Sequence, residues 1–245
     1  MINDTVLILG AKSDIGIALA HEFAKTGNQI FLAGRNIYEL ENEKKKLEME
    51  NSVKVSLYEF DALDLLNHSE FIDKLTVLPS IVISTIGLLG DLNENEINLQ
   101  KFSNIMRSNY EGPASIFLLF AKKFEERGRG KLVGFSSVAG ERGRANNYIY
   151  GSAKAGFTTF LSGLRNKFSS KGVQVLTVLP GYVSTKMTKN MNLPKFLTAE
   201  PNKVAKDVVI ALKKNKNVIF TPVIWKLIIL VLKLIPENIF KRTKI

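Results

Sequence analysis

Val6-Leu7-Ile8-Leu9-Gly10-Ala11-Lys12-Ser13-Asp14-Ile15-Gly16 is the stretch that decides the fold. Four apolar residues run straight into a glycine. Beyond it Ile15, Leu19 and Phe23 recur at helical spacing, and Gly27 ends the run. A strand that turns on glycine into a helix exposes the free N–H groups of the first helical turn, and glycine lets the backbone approach what they hold. Both features suit a pyrophosphate.

Outward from this unit the chain repeats the pattern. Further strands are expected at 30–33, 53–60, 81–84, 131–135 and 173–179. Helices are expected at 15–25, 37–50, 69–75, 149–167 and 102–124, the last interrupted near Gly112-Pro113. Strands alternating with helices of this length predict a single-domain, doubly wound α/β fold around a parallel sheet. The length, 245 residues, suits one such domain. The main domain is read as residues 1–215. Residues 216–245 are read as a basic, apolar C-terminal tail and not as a separate domain.

Composition narrows the chemistry. There is no cysteine, so disulfides, thiolate metal sites and cysteine nucleophiles are excluded. His21 and His68 are the only histidines, too few for an imidazole zinc site, and no metal site is expected. The net charge of +11 favours anionic partners. From Lys203 onward there are ten basic residues against Asp207 and Glu237, so most of the excess lies at the C-terminal end. No nucleic-acid-binding module accompanies it, and nucleic acid is not expected as a partner. The opening MINDTVLILG has no basic n-region and reads as the approach to a strand rather than as a signal peptide.

The end of the second strand indicates which dinucleotide the loop would take. An acidic residue there would bind a ribose diol, but this chain has Gly34-Arg35-Asn36. Arg35, helped by Lys12, would pair with a 2′-phosphate, which favours NADPH over NADH.

A second constellation follows the strand at 131–135. Ser137 stands thirteen residues before Tyr150, and Lys154 lies four beyond it, on the same helix face. An unperturbed phenol, with a pKa of about 10, is a weak acid–base group at neutral pH, and a nearby ammonium favours its ionised form. Tyr150 is thus a candidate proton donor to a carbonyl, with Ser137 bonding the same oxygen. Tyr148 has Ser152 at the corresponding position and lacks the lysine.

With these residues in place the chain resembles the short-chain dehydrogenase/reductases over roughly residues 3–190. The resemblance implies a Rossmann fold and an oxidoreductase acting on CH–OH or C=O with a nicotinamide cofactor. It matches Gly10, Ser13, Ile15 and Gly16 to the cofactor loop, and Lys12, Asp14 and Arg35 are read as cofactor-binding beside them, Asp14 standing where a middle glycine might be expected. Asp61 would meet the adenine. Asn109 would be the catalytic asparagine that supports the lysine through water. Ser137, Tyr150 and Lys154 would be the other catalytic positions, with Tyr150 and Lys154 also touching the cofactor. Gly87, Pro180, Gly181, Val183 and Thr185 would line the nicotinamide side. Ser84-Thr85-Ile86-Gly87 departs from the family's usual Asn-Asn-Ala-Gly, so the sheet-bracing asparagine is missing.

Gly-Ala-Lys-Ser-Asp-Ile-Gly (10–16), Leu-Leu-Gly-Asp (88–91) and Tyr-Gly-Ser-Ala-Lys-Ala-Gly (150–156) together resemble the decaprenylphosphoryl-2-keto-ribose reductase group. That likeness implies a small-molecule or polyprenyl-phosphate-linked carbonyl substrate such as a keto-sugar. A soluble ketone or 3-oxoacyl reductase, or a non-catalytic NADPH-binding protein, is the alternative. A homo-oligomer is expected.

Residues 218–235 are apolar but interrupted by Thr221, Pro222, Lys226 and Lys233, short of the roughly 20 residues of a spanning helix. Trp225 at one end and Lys241, Arg242 and Lys244 beyond the other suggest an interfacial segment on an anionic membrane. The expected location is cytoplasmic, peripheral on the inner face of the membrane. Packing on the domain itself or on a second subunit is the competing use of this tail.

Overall fold

In the computed structural model, which describes residues 4–189 and 191–243, β1 (Thr5–Leu9) lies inside a seven-stranded parallel sheet. Its residues are all buried. Val6 and Ile8 face one layer of helices, Leu7 and Leu9 the other. Alternation along a strand covered on both faces is why this segment reads as an unbroken apolar run.

The sheet continues with β2 (Gln29–Gly34), β3 (Val55–Glu59), β4 (Ile81–Ser84), β5 (Gly130–Phe135) and β6 (Val173–Pro180). After β6, β7 (Tyr182–Val183) and β8 (Thr198–Ala199) pair as a small separate ribbon, and β9 (Val218–Thr221) returns to the edge of the main sheet. The spatial order is β3-β2-β1-β4-β5-β6-β9. One face carries α1 (Asp14–Ala24), α2 (Glu41–Asn51) and α8 (Pro201–Lys213); the other carries α3 (His68–Asp73), α6 (Gly112–Arg127) and α7 (Tyr148–Phe168). The strand order reverses between β1 and β4, which opens a crevice above their carboxyl ends, where open α/β sheets bind ligands.

Three details differ from the sequence reading. The helix expected from residue 37 begins with a 3-10 turn, Ile37–Leu40, before α2. The long helix does not break at Gly112-Pro113. After α4 (Leu92–Ile97), α5 (Leu99–Met106) runs into α6 through a π turn at Arg107–Glu111. Pro113 closely follows the π turn, where the regular i→i−4 ladder is already interrupted, so its missing N–H falls at that interruption. Helix α8 and strand β9 are additional elements that the sequence reading did not contain.

The C-terminal segment is built into the domain. β9 pairs with β6, and buried Thr221 donates through Oγ1 to Asp207 Oδ2 at 2.8 Å. The 215/216 division therefore falls just ahead of a strand of the main sheet. In α9 (Ile224–Leu234), Trp225, Ile229 and Leu232 are buried against Val138, Leu179 and Phe240, the last from α10 (Glu237–Phe240). The interfacial role expected of Trp225 is corrected by this packing. Its indole is 3% exposed, donates through Nε1 to Leu197 O at 3.0 Å, and meets the Tyr182 ring edge-on at 5.1 Å. It fits because residue 181 is glycine, since a Cβ there would stand 1.8 Å from the indole nitrogen. Arg142 closes the far end of α9. Its guanidinium donates to Leu232 O, to Ile235 O at 2.8 Å and to Glu237 Oε2 at 3.1 Å, and lies 3.6 Å over the Phe240 ring. Ile235 O is an acceptor at the helix C-terminus, and Leu232 O also accepts from Ile235 N at 3.3 Å. Of the expected basic cluster, Lys244 lies outside the described residues.

Trp225→Ala should therefore lower the unfolding free energy by about 3–5 kcal/mol, the usual cost of emptying a buried aromatic site. Leu227→Ala, on the exposed side of the same helix, should stay within about 0.5 kcal/mol of wild type. Urea denaturation of both variants measures the difference.

Candidate active site

Gly10 ends β1 with φ +78° and sits against the chain after β4. A Cβ there would lie 3.1 Å from Ile86 N and from Thr85 Oγ1. Ser13 caps α1, its Oγ accepting from Gly16 N at 3.0 Å, and the first N–H groups of the helix have no intrahelical acceptor. These residues form one wall of a cleft of about 670 Å³ that also includes Lys12, Arg35, Asp61 and Gly87. Glycine at the close approach, open N–H groups at a helix start and an arginine beyond them fit a dinucleotide.

Arg35 is exposed at the cleft and makes no ion pair among the described residues. Lys12 does pair, with Glu39 at 2.7 Å. Asp61 accepts from Leu63 N at 2.9 Å and fixes its own turn on the cleft wall. Asp14 does not face the cleft. Its Oδ2 accepts from Lys186 N at 2.7 Å, tying the start of α1 to the segment after β7. Ile15, Gly87, Pro180, Gly181, Val183 and Thr185 line a neighbouring hollow of about 160 Å³, joined to the first through Thr85, Ile86 and Gly87.

Ser137, Tyr150 and Lys154 line that second hollow. Ser137 Oγ accepts from Ala139 N at 3.1 Å, which holds the hydroxyl at the end of β5. Lys154 is 2% exposed, and its Nζ donates to Phe135 O at 2.9 Å and Ile86 O at 3.3 Å. Burial pulls its ammonium down to about 7. Burial also pushes the Tyr150 phenol up to about 12, against a hydrogen bond with Ser137 that pulls it down. The sequence reading expects Lys154 to lower Tyr150. In the protein chain alone burial prevails, with Nζ 5.8 Å from the centre of the Tyr150 ring. Asn109 is fully buried in the π turn. Its Nδ2 donates to Leu88 O at 2.7 Å and Ile105 O at 2.8 Å, and its Oδ1 accepts from Leu88 N at 3.2 Å. Tyr148 points elsewhere, donating to Glu96 at 3.0 Å.

A model of the short chain dehydrogenases matches residues 4–195. An uncharacterized oxidoreductase of Mycobacterium tuberculosis is 35% identical over 240 residues, covering 97% of this chain and 96% of that protein. The chain belongs to the short-chain dehydrogenase/reductase family. It is an oxidoreductase, as its relatives are named. An uncharacterized oxidoreductase of Streptomyces coelicolor is 30% identical over 241 residues, covering 97% and 95% of the two chains. Among solved structures, a short-chain dehydrogenase from Sphingobium yanoikuyae in complex with NADPH shares the fold at TM-score 0.80 and 24% identity, over 89% of this chain and 88% of that one. A bulky-bulky ketone specific alcohol dehydrogenase from Comamonas testosteroni does so at TM-score 0.80 and 23% identity, over 97% and 96%.

Within this short-chain dehydrogenase/reductase two residues outside the sequence-based site hold the cleft together. Thr85 takes over the bracing that the missing asparagine leaves open. Its N–H donates to Leu9 O at 2.9 Å, and its Oγ1 reaches Gly10 O at 3.0 Å and Ser13 Oγ at 2.9 Å. The signal for it was the departure at 84–87 itself. Glu59, at the end of β3, accepts from Asn36 N at 2.8 Å and Ile37 N at 3.1 Å and so fixes the turn carrying Arg35. Nothing in the local sequence marks Glu59, because its partners come from another strand's loop.

Thr85→Val keeps the volume but strips the hydroxyl from this junction. The expected loss is about 0.5–1.5 kcal/mol, the net worth of a hydrogen bond, because Leu9 O keeps the residue-85 N–H and Gly10 O keeps that of Ser13, with Thr85→Ser recovering most of it. Thermal and urea unfolding of the pair read the effect.

Proposed function

We propose that this chain is an NADPH-dependent carbonyl reductase with Tyr150 as the proton donor. The observation that carries the reading is the meeting of Ser137, Tyr150 and buried Lys154 at the hollow that continues the dinucleotide-shaped cleft. A bound dihydronicotinamide would supply a hydride to the substrate's carbonyl carbon. With a phenol at about 12, Tyr150 starts fully protonated at neutral pH, the state from which an acid must act. Ser137 Oγ hydrogen-bonds the same carbonyl oxygen and orients it. Lys154, when protonated, places its positive charge behind the phenol and favours the phenolate left after proton transfer. A Cβ at Gly87 would lie 3.2 Å from Asn109 Oδ1 and 3.5 Å from Lys154 Nζ. This proximity supports reading Asn109 as the residue that would hold a proton-returning water beside that ammonium. A non-catalytic binding protein has no use for this arrangement.

Tyr150→Phe should leave folding and cofactor binding intact while lowering turnover by at least a hundredfold. Tyr148→Phe should change turnover less than threefold. Stopped-flow NADPH oxidation with a ketone panel makes the comparison, and a larger loss in Tyr148→Phe would put the catalytic register in error.

The preference for NADPH rests on Arg35, since Lys12 is engaged by Glu39 and the Asn36 and Ile37 N–H groups by Glu59. A charge-assisted contact of about 1.5–3 kcal/mol corresponds to a ten- to hundredfold preference over NADH. Arg35→Ala should erase most of it, and Lys12→Ala should not. Fluorescence titration with both reduced cofactors gives the ratios, and an unchanged ratio in Arg35→Ala contradicts the assignment.

The substrate reading extends to a lipid-linked keto-sugar of the polyprenyl phosphate type, met at an anionic membrane surface. Its support is α9. Opposite buried Trp225, Ile229 and Leu232, the helix exposes Leu227, Leu230, Val231 and Leu234, with exposed Lys226, Lys241 and Arg242 nearby. This is an apolar face with a basic margin, as interfacial helices have. The helix has 11 residues, and no helix among those described is long and apolar enough to cross a membrane. The protein should co-sediment with anionic vesicles at low salt, less so at high salt, and Leu227→Glu/Leu234→Glu should abolish it without unfolding the domain. No co-sedimentation, together with a dimer in light scattering that the double variant breaks, would assign the face to a second copy of the chain.

A further inference from the structure

The hollow around Tyr150 continues into a second one of about 330 Å³, and Arg144, Asn147, Tyr150, Tyr182 and Met191 line both. Tyr150 stands at the junction, so a carbonyl held there would project the rest of its molecule past Arg144 and Asn147.

Neither of those two side chains is used by the fold. Arg142, two residues earlier, is spent on the end of α9. Arg144 makes no ion pair and no side-chain hydrogen bond among the described residues, although it lines a protein cleft. Asn147 occupies the N-cap position of α7, where asparagine is favoured because its side-chain oxygen accepts a first-turn N–H. Here it caps nothing, and Oδ1 is buried with no hydrogen-bond partner. A buried acceptor without a donor is rare in folded proteins and calls for a partner. The acid on the same wall, Asp91, is occupied in capping α4, accepting from Glu94 N at 3.0 Å.

We propose that Arg144 and Asn147 form a substrate subsite, in which Arg144 binds an anionic substituent and Asn147 Oδ1 accepts from a neighbouring hydroxyl. The substrate class is a hydroxylated carbonyl compound carrying a carboxylate or a phosphate ester. This rests on the reductase reading, which places the carbonyl at Tyr150. The planar guanidinium suits either anion in a two-point contact, which a lysine ammonium does not reproduce.

The test uses three matched probes titrated calorimetrically into the full chain saturated with NADP+. Dihydroxyacetone is neutral, dihydroxyacetone phosphate adds a phosphate ester, and hydroxypyruvate adds a carboxylate. At least one anion should bind tenfold or more tightly than dihydroxyacetone, and the stronger of the two identifies the substituent. Arg144→Ala should remove that advantage, Arg144→Lys should keep only part of it, and Asn147→Ala should weaken all three probes. NADP+ affinity should be unchanged in Arg144→Ala. Equal binding of all three probes, or an anion preference that survives Arg144→Ala, overturns the subsite. Failure of the wild-type chain to bind NADP+ would sink the reductase reading instead. The anions are then titrated into the cofactor-free chain, where the same two results decide the subsite.

Discussion

The burial of one ammonium, Lys154, constrains the rest of the site. Its Nζ lies against Phe135 O at the end of β5 and Ile86 O in the chain after β4. A lysine taken out of water pays heavily unless such acceptors receive it, and even then the neutral form gains, which is why its pKa falls to about 7. The contact fixes the height and rotation of α7 on the sheet. Ser136 strengthens it by donating to the Lys154 carbonyl oxygen at 2.8 Å. Tyr150, one helical turn earlier, then has no choice but to face the hollow, and Tyr148 to leave it.

The same logic runs through the opposite wall. Trp225 presses on Gly181 and holds Leu197 and Tyr182, while Arg142 fastens the loop before α7 to the end of α9. The C-terminal segment therefore contacts two walls of the hollow that Tyr150 lines. Asp14 adds a third tie, from α1 to Lys186. An oxidoreductase gains from such a frame because catalytic groups work only when held within a fraction of an ångström of the reacting atoms.

The strand–turn–helix opening and the Tyr150–Lys154 pair were legible because each is local. One needs a glycine between two periodicities, the other a four-residue spacing. The bracing by Thr85 was not, since its partners lie more than seventy residues away. β9 is not legible in the sequence because a short edge strand merges with the apolar helix that follows it. The tail was legible as apolar but not as to which side was inward. In α9 the two lysines, Lys226 and Lys233, mark only one flank and every other position is apolar, so the sequence alone does not separate Trp225 and Ile229 from Leu227 and Leu234. Asn147 reads as an ordinary N-cap, and only the fold reveals that it does not act as one.

The most direct measurement is the titration of Lys154 itself. In protein carrying isotope-labelled lysine, its side-chain NMR signal, assigned by its absence in Lys154→Met, should change protonation near pH 7. A midpoint near the ordinary lysine value of about 10.4 would mean that the ammonium is solvated and not buried against Phe135 and Ile86, which contradicts the constraint on which this account of the site rests.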